Sequence, residues 1–130
     1  MIDHVSLIVS DLTRAERFYD AIMRALGYPK VVRDSDRIGY GERASAEHPE
    51  RCYISIRGGL PKRSESRRHW AFRAPSRAAV EAFHRDGLEN GGADDGAPGL
   101  REYHPHYFAA FLIDPDGNRL EAVCHRAGVS

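Results

Sequence analysis

The second half of this chain repeats the first at a fixed offset of 65 residues, and no other feature narrows its possible folds as much. The offset carries His4 to His69, Asp11 to Ser76, Ala15 to Val80, Phe18 to Phe83, Met23 to Leu88 and Gly27 to Gly92 without a gap. Chance supplies one or two such matches. It does not align a strand histidine, a helix cap, an apolar helical face and a terminal glycine together. A repeat of this kind means that one supersecondary unit occurs twice and that the copies bury apolar surface against each other.

Each copy reads as a βαβββ unit. IDHVSLIV (2–9) is β-branched and weakly alternating, as in a strand. Asp11 is a good helix N-cap. Ala15, Phe18, Tyr19, Ile22, Met23 and Leu26 recur at helical spacing, and Gly27 ends the run as a C′ glycine. Further strands are expected near 30–33, 37–43 and 51–57. In the second copy HWAFRA (69–74) is the strand, Ser76 the cap, and Val80, Phe83 and His84 the helical face. Gly91-Gly92 is the stop, with Gly87 weakening the last turn. Strands are then expected near 99–103, 107–113 and 118–124. Asp114-Pro115-Asp116-Gly117 fits a type I turn that joins the last two as a hairpin. The fold class is therefore α+β, one domain over 1–130, with module one at about 1–57, a linker at about 58–68 and module two at about 69–126. Lys62, Arg63, Arg67 and Arg68 of that linker are read as solvated charge rather than as a phosphate site.

Charge and composition exclude several function classes. Lys plus Arg (19) equal Asp plus Glu (19), so no net field attracts nucleic acid or an anionic membrane. No apolar run approaches transmembrane length. The N-terminal stretch lacks the basic and long apolar regions of a signal peptide, and no glycine motif for a nucleotide is present. A soluble, cytoplasmic protein is expected. Cys52 and Cys124 lie in apolar strand-like runs and are expected to be reduced and buried.

The repeat places two histidines at equivalent sites, His4 and His69, each on the first strand of its copy. If those strands neighbour a pseudo-twofold axis, the imidazoles can face each other. Residues two apart share a strand face, so His4 lies with Ser6 and Ile8 and opposite Val5, Leu7 and Val9. A histidine in an apolar strand needs a partner for its ring nitrogens. Glu121 stands between Leu120 and Ala122 in the last strand, where a carboxylate is costly unless paired. Two histidines and one carboxylate form the facial triad that leaves positions open on Fe(II), Mn(II) and similar ions. The bland alternatives are a hydrogen-bonded core histidine, and a Glu121 at the surface or paired with Arg119.

IDHVSLIVSD, RAERFYDAIMRALGY, HWAF and GAPGLREYHPHYFAAFLIDPDGNRLEAV together resemble the vicinal-oxygen-chelate superfamily of glyoxalase I, extradiol dioxygenases, fosfomycin-resistance enzymes and bleomycin-resistance proteins. The resemblance implies two βαβββ modules whose curved sheets enclose a divalent metal (Fe, Mn, Zn or Ni). By family pattern its ligands are His4, His69 and Glu121, and Glu121 serves as a base in some members. It implies a small-molecule substrate and a homodimer, with the paired modules drawn from one chain or from two. Glyoxalase I enzymes usually add a fourth Glu or Gln ligand in the fourth strand. Here Ile56 lies 65 residues before Glu121, with Ser55 the neighbouring alternative, and neither is a carboxylate or carboxamide. That departure points to three-ligand members such as dioxygenases and fosfomycin-type transferases.

Arg101, Tyr103, His104, His106 and Tyr107 cluster before the last hairpin. Arg101 suits bidentate capture of a carboxylate or phosphonate, and Tyr103 and Tyr107 suit donation to an oxyanion; equally, the tyrosines can be packed strand aromatics. These three are the candidate substrate contacts. His104 and His106 are read as surface residues, and Trp70 and Phe72 as core. The functional expectation is a metal-dependent glyoxalase- or dioxygenase-like enzyme. Its rival is a bleomycin-resistance-like protein that sequesters a small molecule without catalysis.

Overall fold

The computed structural model describes residues 1–60 and 68–128. Ten elements follow in order: β1 (His4–Val9), α1 (Leu12–Leu26), β2 (Lys30–Arg33), β3 (Arg37–Gly41), β4 (Tyr53–Gly58), β5 (His69–Arg73), α2 (Arg77–Glu89), β6 (Ala93–Leu100), β7 (Phe108–Ile113) and β8 (Arg119–Cys124). They form two four-stranded sheets, ordered β1-β4-β3-β2 and β5-β8-β7-β6. β1 runs parallel to β4 and β5 parallel to β8, while the remaining pairs are antiparallel. The expected α+β architecture of two βαβββ modules is thus present. The basic stretch Lys62, Arg63 and Arg67 lies outside the described residues.

The helix boundaries follow from capping. Asp11 accepts a hydrogen bond from the Arg14 backbone N–H at 3.1 Å, and Ser76 accepts one from Ala79 N–H at 3.0 Å. Gly27 takes the left-handed conformation (φ 84°) that closes α1. Phe18, Tyr19, Ile22 and Met23 of α1 are buried, as are Val80 and Phe83 of α2, in one core shared with Leu7, Val9, Ile56, Leu112 and Leu120. Both helices therefore pack on one side of the sheets and against each other, and the opposite sheet faces stay open.

The repeat breaks where the helices cross. Met23 is buried, but its counterpart Leu88 is 40% exposed. The buried place goes to Gly87, where an added Cβ would sit 2.3 Å from Leu112 Cδ1 and 3.0 Å from Ile22 Cγ2. The glycine that weakens α2 on propensity grounds is what lets α1 and β7 approach. At the end of α2 the left-handed residue is Gly91 (φ 103°), not the Gly92 aligned by the repeat.

β6 spans 93–100 rather than 99–103; its sequence ADDGAPGL lacks the apolar alternation that signals a strand and carries Pro98. It is an edge strand with irregular pairing to β7 on either side of Gly96, the place where a sheet tolerates Pro and Gly. Cys124 is buried as expected. Cys52 precedes β4 and is exposed, since the strand begins only at Tyr53.

Pairing register settles which residue of module one matches Glu121. His4 faces Tyr53 across β1–β4, and His69 faces Arg119 across β5–β8. Counting two residues on in each, Ser55 corresponds to Glu121, and Ile56 corresponds to Ala122. The constant offset fails by one residue here because the loops differ in length, and Ile56 turns its side chain into the core.

Candidate metal centre

Glu121 sits in the middle of β8, opposite Ala71 of β5 and Phe111 of β7. Its neighbours Leu120 and Ala122 face the helices, so its side chain projects to the open face. It is nevertheless only 3% exposed. A carboxylate so withdrawn from water requires partners, and it has two. Its Oε1 lies 3.0 Å from His69 Nε2. Its Oε2 accepts a hydrogen bond from the Tyr107 hydroxyl. Burial, and then the hydrogen bond and charge of Glu121, push the Tyr107 phenol up to about 12, so it stays a neutral donor. The His69 side chain is 45% exposed and stands at the rim above the carboxylate.

This pair fits a divalent ion. Adjacent ligands each about 2.1 Å from one octahedral ion lie about 3.0 Å apart, the spacing between Nε2 and Oε1. Imidazole and carboxylate suit Mn, Fe, Zn and Ni. Among the described residues, however, no three His, Cys, Asp or Glu side chains gather at one place. His4 is on the other sheet. Its Nδ1 lies 2.6 Å from Asp3 Oδ1, and its ring stacks on Tyr53 at 5.1 Å. Spacing in the sequence does not mark the Tyr53 partner, since it stacks from the neighbouring strand β4, whereas Asp3 is the adjacent residue. Ser55, on the open face beside Ser6, is 1% exposed, and among the described residues its Oγ has no hydrogen-bond partner.

The three candidate substrate contacts occupy different situations. Arg101 folds back across β6, donating from Nη2 to Ala97 O at 2.7 Å, with its guanidinium 5.4 Å from the Phe111 ring. Gly96 and Gly99 leave β6 bare for it: a Cβ would lie 3.4 Å from Nη2 at Gly96 and 3.1 Å from Nη1 at Gly99. Phe111 in turn lies 6.4 Å from the His69 ring, so Arg101 borders the centre. Tyr103 is 78% exposed and packs at 4.9 Å on Tyr107. Tyr107 contacts Glu121 itself. His104 and His106 are exposed as expected, but His104 is engaged. Its Nδ1 accepts from the His106 N–H at 3.0 Å, which leaves Nε2 to donate to His125 Nδ1 at 2.9 Å. Trp70 and Phe72, expected in the core, are half-buried. With Val5, Met23, Cys52 and Ile54 they line a cavity of about 250 Å³ between the modules.

The description Glyoxalase/Bleomycin resistance protein/Dioxygenase superfamily matches residues 1–122. No curated protein matches. A glyoxalase/bleomycin resistance protein from Albidiferax ferrireducens is similar at 30% identity and TM-score 0.80, covering 97% of this chain and 99% of its own. The fosfomycin resistance protein FosX from Mesorhizobium loti shares the fold at 18% identity and TM-score 0.68, covering 98% and 93%. A mutant FosX from Listeria monocytogenes, solved with Mn(II) and 1S,2S-dihydroxypropylphosphonic acid, does so at 17% and 0.68, covering 98% and 91%. The chain belongs to the glyoxalase/bleomycin resistance protein/dioxygenase superfamily.

Proposed function

We propose that this chain is a metal-dependent enzyme of small-molecule metabolism or detoxification, whose substrate binds through its oxygens to a divalent ion held by His4, His69 and Glu121. The observation behind this reading is the His69–Glu121 pair, an imidazole and a carboxylate at ligand spacing on an open sheet face. His4 stands apart within one chain, so we assign it to the site of a second copy. Among the described residues each sheet ends in an edge strand that carries one of the histidines, β1 with His4 and β5 with His69. A two-fold pair of copies, each lending His4 to the other, completes two sites.

A divalent ion of the Mn, Fe, Zn or Ni type held by these residues would supply Lewis-acid stabilisation of negative charge developing on a substrate oxygen. Ser55 stands where a fourth protein ligand would come from, and its hydroxyl leaves the remaining positions to substrate. Arg101 holds an anionic group: two of its donors reach backbone carbonyls, and the rest of its fork is available to a carboxylate or phosphonate. Tyr103 closes the rim. Three-ligand chemistry of the dioxygenase or fosfomycin-transferase kind is favoured over glyoxalase I chemistry. The Mn(II) in the listerial FosX makes manganese the first ion to test. The work is placed in the cytoplasm, in keeping with two free thiols.

A second reading, capture of a small apolar molecule without catalysis, draws on the cavity beside Trp70 and Phe72. Metal content of protein purified without chelator separates the two. His4→Ala and His69→Ala should each lose the ion, and unchanged content would sink the metal reading. Refolding His4→Ala chains together with Glu121→Ala chains should restore about a quarter of the sites if copies share them, because half the pairs are mixed and carry one whole site. No restoration would mean that the site is not shared.

A further inference from the structure

We propose that Tyr107 is a positioning residue whose hydroxyl engages Glu121 Oε2, so that the carboxylate presents only Oε1 to an ion shared with His69. This rests on the metal reading above and deepens it. The two oxygens of Glu121 are divided between two partners. Oε1 lies against His69 Nε2, while Oε2 accepts the hydrogen bond that the Tyr107 hydroxyl donates. An ion held by His69 and Glu121 would replace the first contact, and the second would still hold the carboxylate to one free oxygen.

The phenol is itself fixed. Its ring meets Tyr103 at 4.9 Å, His125 at 5.2 Å edge-on and His104 at 5.6 Å edge-on. The His104–His125 hydrogen bond ties two of those walls together. The Tyr107 carbonyl accepts from the Arg101 N–H at 2.8 Å, so the loop is closed on itself at the residue that carries the phenol. The cage explains three aromatic side chains around one tyrosine that packing in the core does not require. With Oε2 engaged by the phenol and Oε1 facing His69, the same geometry gives Glu121 to ligation rather than to proton transfer.

The experiment is Mn(II) binding by the full-length protein, read from the free-ion electron paramagnetic resonance signal and the line shape of the bound ion. Tyr107→Phe removes only the oxygen. It should weaken Mn(II) about tenfold to a hundredfold, as loss of a group that orients a ligand does, and should alter the bound line shape. Affinity equal to or tighter than wild type, with an unchanged line shape, overturns the proposal. His125→Ala takes away one wall and keeps the phenol. A severalfold loss is expected, and it decides the matter if Tyr107→Phe fails to fold. Wild-type affinity in His125→Ala would then count against the cage. His69→Ala and Glu121→Gln distinguish the two levels of argument. If these also bind Mn(II) like wild type, the metal reading itself fails. If they lose it while Tyr107→Phe does not, only the role of Tyr107 falls.

Discussion

Tyr19→Phe tests the buried tie between the two modules. The Tyr19 hydroxyl, fully buried on α1, donates to Asp114 Oδ2 at 2.6 Å, 95 residues away at the end of β7. Asp114 is 3% exposed and takes three further donors: Asn118 Nδ2 at 2.8 Å, Asn118 N–H at 2.8 Å and Asp116 N–H at 2.9 Å. A hydrogen bond to a charged group contributes about 1.5–3 kcal/mol. Since three donors remain, the loss should fall in the lower part of that range, about 2 kcal/mol. For 130 residues the unfolding entropy is about 0.27 kcal/mol/K, which turns that loss into a Tm drop of about 7 °C. Urea and thermal unfolding of wild type, Tyr19→Phe, Asp114→Asn and the double variant measure the pair as a cycle. Asp114→Asn should cost more than Tyr19→Phe, because it removes the charge from all four bonds and its amide nitrogen, in the place of Oδ2, confronts the Asn118 Nδ2 donor. A Tyr19→Phe loss under about 0.5 kcal/mol, the level of an ordinary surface change, would refute the tie between modules.

Gly87→Ala gains about 1 kcal/mol in helix propensity but drives a methyl against Leu112 and Ile22 at a cost of about 1–3 kcal/mol, so urea melts should show net destabilisation. Lys30, then Arg33, hold the Glu16 carboxyl below its usual value of 4.5. A depressed carboxyl contributes stability above its unfolded value and loses it as pH falls through the folded one. Glu16→Gln should therefore flatten the decline in Tm below about pH 4.5, and an unchanged acid limb would count against the pair. A thiol reagent should titrate Cys52 but not Cys124 in native protein and both after unfolding. Burial and the nearby Asp3 raise the Cys52 thiol, so it should react more slowly than a free thiol.

The repeat, the helix caps, the two apolar helical faces and both β-branched first strands were legible in the chain because each is set by local periodicity and backbone chemistry. So were the ligand types: a histidine at equivalent places in each copy and one carboxylate inside an apolar strand. The proximity of those ligands was not. Ser55 rather than Ile56 matches Glu121, since register depends on loop length and on which residues the helices cover, and no offset encodes that. The edge strand β6 has no apolar alternation to announce it and exists because β7 offers a ladder. Gly87 looked like a weak helix position and is a contact between α1, α2 and β7, a fact of three-dimensional approach. Tyr107 looked like a substrate contact, but the tertiary fold brings its hydroxyl to Glu121, 14 residues on. Local physics determined the units and their chemistry. The parallel pairing of β5 with β8 inside the second unit decided that His69 and Glu121 meet, and the split into two sheets left His4 on the other one.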